Sequence, residues 1–256
     1  MATRSPKSAA GVFDHSAPIA IAHRGGDEVA PENTMAAFEH AWSLGFRVLE
    51  TDVHVTADGV LIAFHDADLE RLTGRPGALA DRTWDELAAI DLGDGHRIPT
   101  MAELFERFPD AVFNIDPKAD AAVEPLAATI REHDALRRVN VGSFSDARIA
   151  RMSELLGPSL STSAGPRDTA RLLFAARGLG RGPARHTCVQ VPLRRSGYRL
   201  TPRLVEGIQR AGRQVHVWTV NDADTARMLV AWGVDGIMTD RPSMLRSVFE
   251  ELEVWR

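Results

Sequence analysis

A chain of 256 residues with 44% hydrophobic and 25% charged side chains can bury one large core, and this balance excludes a disordered or fibrous polypeptide. Its 30 Lys and Arg against 35 Asp and Glu leave a net charge of −5, which gives no general attraction for nucleic acid or an anionic membrane. Any anionic ligand must therefore be held by local groups, and the single cysteine, Cys188, excludes an intramolecular disulfide.

Residues 1–18 are polar and small, lack the apolar run of a signal peptide, and read as a flexible N-terminal segment ahead of one domain spanning 19–256. No stretch approaches the roughly 18 consecutive apolar residues of a membrane span. These features point to a soluble cytoplasmic protein without stable membrane insertion. They say nothing of oligomeric state.

From residue 19 onward, short apolar or β-branched runs alternate with amphipathic helical patterns, as in repeated strand-helix units around a parallel sheet. Nine strands are expected: Ile19 to His23, Arg47 to Val53, Val60 to His65, Ala111 to Asp116, Arg138 to Phe144, Leu160 to Ser163, Thr187 to Val191, Gln214 to Val220 and Gly236 to Thr239. The third is surplus to a barrel, and Asp58-Gly59, a strong hairpin signal, pairs it antiparallel with the second. Helices are expected at Asn33 to Leu44, Ala121 to His133, Asp146 to Leu156, Pro166 to Ala176, Pro202 to Ala211, Ala223 to Trp232 and Ser243 to Leu252. The result is a (β/α)8 pattern, a TIM barrel in the α/β class, interrupted by a polar, Gly-rich insertion at about 66–100. An open doubly wound sheet is the weaker alternative, because no glycine-rich dinucleotide turn follows the first strand.

In such a barrel the chemistry lies at the carboxyl ends of the strands, where polar residues pack poorly but serve a site well. His23-Arg24-Gly25-Gly26 ends the first strand and offers an imidazole, a guanidinium and close backbone approach to an oxyanion. Glu50 and Asp52 alternate on the second strand and share a face, so a cation between them would relieve their repulsion. Oxygen ligands of this kind suit Ca2+ or Mg2+. His65-Asp66 ends the hairpin return; alone it reads as a satisfied core residue, but paired with His23 it becomes a second acid-base candidate. Asn114, Asp116 and Lys118 share a face of the next strand, where Asp116 could complete the cation site and Lys118 could hold a phosphate or pair with Asp116. Trp218 reads equally as core or as an aromatic wall. Cys188, in the apolar run TCVQV, reads as a small buried side chain. His54 shares a face with the two carboxylates but is left outside the site. The run GLGRGPAR at 178–185 lacks phosphate-loop spacing and reads as a basic loop.

The stretches HRGG at 23–26, APENT at 30–34, ETDVHVTADG at 50–59, FHD at 64–66, LERLTG at 69–74, IPTMAEL at 98–104, NIDPK at 114–118, VWTVN at 217–221 and GVDGIMTDRP at 233–242 occur together in order. In this the chain resembles the glycerophosphodiester phosphodiesterase family. The resemblance implies hydrolysis of glycerophosphodiesters to glycerol 3-phosphate and an alcohol, with a divalent cation, Ca2+ or Mg2+. It implies His23 and His65 as the acid-base pair, Glu50, Asp52 and Asp116 as metal ligands, and Arg24 and Lys118 as phosphate-binding groups. Trp218 would line the glycerol side, and Glu32 and Asn33 would order the site. Asp116 departs from the pattern, since the family ordinarily has glutamate there, and a water could bridge the shorter carboxylate to a metal. A cyclising phospholipase-like phosphodiesterase and a non-catalytic binder of phosphate esters are the competing readings.

Overall fold

The computed structural model describes residues 12–13, 18–183, 185–195 and 197–255. Its strands are β1 (Ile19–Ala22), β2 (Val48–Val55), β3 (Leu61–Ala63), β4 (Val112–Pro117), β5 (Val139–Val141), β6 (Ser161–Thr162), β7 (Cys188–Pro192), β8 (Arg194–Arg195), β9 (Tyr198–Arg199), β10 (Gln214–Trp218) and β11 (Gly236–Thr239). Its α-helices are α1 (Met35–Ser43), α2 (Glu70–Thr73), α3 (Trp84–Ala88), α4 (Met101–Arg107), α5 (Val123–Glu132), α6 (Asp146–Leu156), α7 (Pro166–Ala175), α8 (Pro202–Arg210), α9 (Ala223–Ala231) and α10 (Pro242–Glu251).

Eight of the strands run parallel in the order β6-β5-β4-β2-β1-β11-β10-β7. A Ser163–Cys188 bridge, with Ala164 N–H donating to the Cys188 carbonyl at 2.9 Å, brings the two ends together as the barrel requires. The expected α/β barrel is thus present, and each of the nine expected strands corresponds to an observed one. The small antiparallel pair β8–β9 was not expected, because its residues are mostly charged and exposed and carry no apolar alternation.

Helices begin where the sequence supplies a cap. Thr34, Thr83, Thr100, Ser145, Thr201 and Asp222 each accept a backbone N–H of the helix that follows. The outer strand faces, among them Leu49, Val53, Phe113 and Ile115, join the helices in the main core. The barrel interior is instead polar at mid-height: Asn114 on β4 receives hydrogen bonds from Asn140 on β5 at 2.7 Å and from Gln190 on β7 at 3.2 Å. His216, wholly buried in this layer, is pushed down to about 3 by burial and stays neutral. Cys188 is buried as expected, and burial pushes its thiol up to about 12.

The hairpin β2–β3 is what makes room for chemistry. β3 alternates, with Leu61 and Ala63 packed in the main core and Ile62 and Phe64 in a second cluster with Leu69, Leu79, Leu87, Ile90, Leu92 and Ile98. That second cluster gives residues 66–100 a small core of their own. Continuing the alternation places His65 on the barrel side.

The expected flexible segment at 1–18 lies outside the described residues except at Val12, Phe13 and Pro18. Phe13 is 1% exposed and meets the His216 ring edge-on at 4.8 Å, while its carbonyl accepts from Gln214 at 2.9 Å. Phe13→Ala would leave a cavity against the barrel interior, so chemical denaturation should show a loss of about 3 kcal/mol. A loss below about 0.5 kcal/mol would mean that Phe13 does not plug the barrel.

Candidate active site

Past β1 the chain makes a single 3-10 turn, His23–Gly25, with Arg24 at φ 53°, Gly25 at 79° and Gly26 at 92°. A Cβ on Gly25 would fall 2.8 Å from Phe38 N, and one on Gly26 would fall 2.7 Å from Pro242. Glycine is therefore the residue that lets the turn lie against both α1 and α10. The turn directs His23 inward: Nδ1 lies 2.5 Å from Asp240 Oδ1, and Nε2 lies 3.8 Å from Glu50 Oε2. Asp240 is itself held by Asn221, which donates to its Oδ2 at 2.7 Å and accepts its backbone N–H at 2.9 Å. Burial works against charge on His23, but Glu50 and the Asp240 hydrogen bond outweigh it, so the imidazole sits above its ordinary pKa.

The inner face of β2 carries Glu50 and Asp52, both buried, and register sets Asp52 beside Asp116 of β4. Lys118 Nζ lies 2.7 Å from Asp52 Oδ1 and 2.9 Å from Asp116 Oδ2. Arg24 donates its backbone N–H to Glu50 Oε2 at 3.0 Å, and its Nε lies 2.9 Å from Asp52 Oδ2. Two cations do not balance this set. Burial, reinforced by the neighbouring Asp52, pushes Glu50 up to about 7. Asp116 is also raised, by burial that outweighs the pull of Lys118.

Four buried side-chain atoms make no hydrogen bond among the described residues: Arg24 Nε and Asp52 Oδ2, which face each other as an ion pair, and Asn33 Nδ2 and Asp116 Oδ1. All four belong to residues of this one mouth, where a ligand would satisfy the last two. No group of three or more His, Cys, Asp or Glu among the described residues is arranged to hold a metal ion, since Lys118 lies between two of the carboxylates. The donor chemistry nevertheless fits a hard cation: oxygen ligands only, Asp116 Oδ1 among them orphaned, and the Glu50 carboxyl raised by burial and by the neighbouring Asp52.

His65 arrives from the insertion side. Phe64 N–H bonds the Asp52 carbonyl at 3.0 Å, which sets the end of the hairpin at the level of the carboxylates. His65 Nδ1 lies 2.6 Å from Asp66 Oδ1, and the His65 carbonyl accepts from His54 Nε2 at 3.1 Å. Arg71 of α2 then ties the halves together, with Nε 2.5 Å from Asp66 Oδ2 and Nη2 2.5 Å from Glu32 Oε1. Glu32 Oε1 also accepts from Arg24 at 3.0 Å. Burial would raise Glu32, but the two arginines hold it below the usual carboxylate range. Asn33, at φ 58° and buried, accepts from Thr51 at 2.8 Å and donates its N–H to the Arg24 carbonyl at 2.8 Å.

The structure therefore brings His23, Arg24, Glu32, Asn33, Glu50, Asp52, His65, Asp116 and Lys118 to one end of the barrel through an unbroken chain of contacts. Trp218 joins from the end of β10 by meeting Phe144 edge-on at 5.8 Å. Sequence reasoning missed four supporting residues. Asp240 and Asn221 act on His23 from the far end of the chain, Arg71 links Asp66 to Glu32, and His54 holds the His65 backbone. The inward alternation Glu50, Asp52, His54 was the signal available for the last.

A family model described as the glycerophosphoryl diester phosphodiesterase family matches residues 23–244. A Mycobacterium tuberculosis protein named "Probable glycerophosphodiester phosphodiesterase 2" is 41% identical over 251 residues, covering 94% of each chain. A glycerophosphodiester phosphodiesterase of Caldanaerobacter subterraneus is 32% identical, covering 89% of this chain and 96% of that one. Among solved structures, an Oleispira antarctica phosphodiesterase in complex with the product sn-glycerol-3-phosphate superposes with a TM-score of 0.76 at 25% identity, over 91% of this chain and 97% of that one.

The charge imbalance has a stability signature. Between about 4.5 and about 7 the folded protein retains a Glu50 proton that the unfolded chain has lost, so stability falls as pH rises through that window. Raising the pH of chelator-treated protein from 5 to 8 should lower Tm through this group, and added Ca2+ or Mg2+ should raise Tm more at pH 8 than at pH 5. Equal increments at the two pH values would contradict this charge distribution.

Proposed function

The chain belongs to the glycerophosphoryl diester phosphodiesterase family, and on that premise we propose that it hydrolyses glycerophosphodiesters to glycerol 3-phosphate and an alcohol, with His23 and His65 as the acid-base pair. One observation carries the assignment of the histidines. Each has Nδ1 on a carboxylate, Asp240 at 2.5 Å and Asp66 at 2.6 Å, which keeps the proton on Nδ1 and leaves Nε2 to exchange one with substrate. Complex formation between the Oleispira antarctica relative and sn-glycerol-3-phosphate supports the product.

A phosphodiester is anionic and resists nucleophiles, so charge must be met first. Arg24 and Lys118 supply cationic groups beside the carboxylates. Enzymes of this family are generally metal-dependent; Glu50, Asp52 and Asp116 would hold Ca2+ or Mg2+, which when bound supplies Lewis-acid neutralisation of phosphoryl charge. Neutral His23 then takes the proton of the substrate glycerol's 2-hydroxyl through Nε2. The alkoxide oxygen bonds to phosphorus as the bond to the departing alcohol breaks, and His65 gives that alcohol its proton. Water opens the cyclic phosphate with the two roles exchanged, which restores both histidines.

This assignment predicts that His65→Ala loses about 10²- to 10⁴-fold in kcat while keeping its circular dichroism spectrum and Tm. Near-normal turnover would remove His65 from the chemistry. Asp240→Asn tests the other dyad: removing the charge lowers the His23 pKa, so the acid limb of the kcat/KM profile should move to lower pH as activity falls. An unmoved limb would show that Asp240 does not act through His23.

A further inference from the structure

The alcohol half of the substrate needs a wall of its own, and the phosphodiesterase reading does not say what that wall selects. Phe144, in the loop after β5, is 57% exposed beside the site, with Trp218 edge-on to it. Lys118 Nζ and Arg195 Cζ each lie 6.0 Å from the centre of its ring. Phe144 therefore connects the groups around Asp52 and Asp116 to the hairpin β8–β9.

That hairpin is unusually positive. Arg194, Arg195 and Arg199 are all exposed, and none has a carboxylate partner among the described residues. Elsewhere on the surface arginines are commonly paired, as Arg107 is with Glu39 at 2.8 Å and Arg227 with Glu251 at 2.7 Å. The hairpin is anchored by Tyr198, whose hydroxyl donates to the Pro192 carbonyl at 2.6 Å, so its charges are presented from a fixed base.

An exposed aromatic ring beside a phosphate site could attract a quaternary ammonium alcohol by cation–π contact. Here that ring already has a guanidinium at cation–π distance, and whereas Lys118, equally close to the ring, is neutralised by Asp52 and Asp116, Arg195 has no carboxylate partner among the described residues, so a cationic alcohol would meet its repulsion. An anion in the same place would meet unpaired guanidinium groups.

We propose that Phe144 and Arg195 form the subsite for the leaving alcohol, and that this subsite favours glycerophosphodiesters whose leaving alcohol carries a second anionic phosphate. Substrates with a cationic alcohol are disfavoured there. The proposal deepens the phosphodiesterase reading and rests on it.

Three probes that differ in leaving-alcohol charge test it: glycerophosphocholine with a cation, glycerophosphoglycerol with a neutral polyol, and bis(glycerophospho)glycerol with an anion. The expected order of kcat/KM at low salt is anion above polyol above cation, with the anionic substrate about tenfold over the cationic one and the ratio shrinking as salt rises. Arg195→Gln should reduce that ratio several-fold, whereas Arg107→Gln, on a distant surface pair, should leave it unchanged. Turnover of all three probes without this order, or an Arg195→Gln ratio equal to the parent's, would overturn the subsite. No turnover of any probe would overturn the phosphodiesterase reading and the subsite with it.

Discussion

Too much negative charge in too little water is the constraint on which the rest of this site depends. Glu50, Asp52 and Asp116 are brought together by the register of two neighbouring parallel strands, and burial prevents water from screening them. Each surrounding feature answers that imbalance. Arg24 turns back with a left-handed backbone to put both its N–H and its guanidinium among the carboxylates, and Lys118 bridges Asp52 and Asp116. What these cations leave uncompensated is visible in Glu50, whose carboxyl is raised to about 7, and in the orphaned Oδ1 of Asp116. An anionic phosphodiester could enter such a mouth only with further positive charge, and that is the physical case for a divalent cation.

The two histidines occupy the edge of this field under different constraints. His23 is tied to the barrel wall, with Asp240 and Asn221 behind it and Glu50 in front. His65 depends on the insertion, through Asp66, Arg71 and the packing of Phe64 into the second hydrophobic cluster. Arg71 joins the two systems, because the Glu32 that receives it also receives Arg24. Order in the insertion and order in the His23–Gly25 turn are thereby one property.

Much of this could be read from the chain, for reasons particular to each element. β-branched runs marked the staves, and Asp58-Gly59 marked the hairpin that removes β3 from the barrel count. Alternation put Glu50 with Asp52 and Asn114 with Asp116 on common faces. Apart from His54, which continues the inward alternation of Glu50 and Asp52, what escaped had no local pattern. Asp240 lies 217 residues from the histidine it holds, so no spacing could pair them. Arg71 sits in a polar segment where a charge ordinarily faces solvent, and Phe13 sits in a polar leader where nothing signals a buried plug. The hairpin β8–β9 has no apolar face to betray it, and its charges were absorbed into a count that came out net negative for the whole chain.

Calorimetric titration of the metal-free protein with Ca2+ and with Mg2+ at pH 6, in two buffers of different ionisation enthalpy, tests the charge argument most directly. The account predicts a single site for at least one of the two ions, with net proton release on binding, because a cation drawn to the carboxylates would expel the proton that Glu50 retains below about 7. Binding without proton release, or no saturable binding by either ion, would contradict the claim that uncompensated carboxylate charge organises this site.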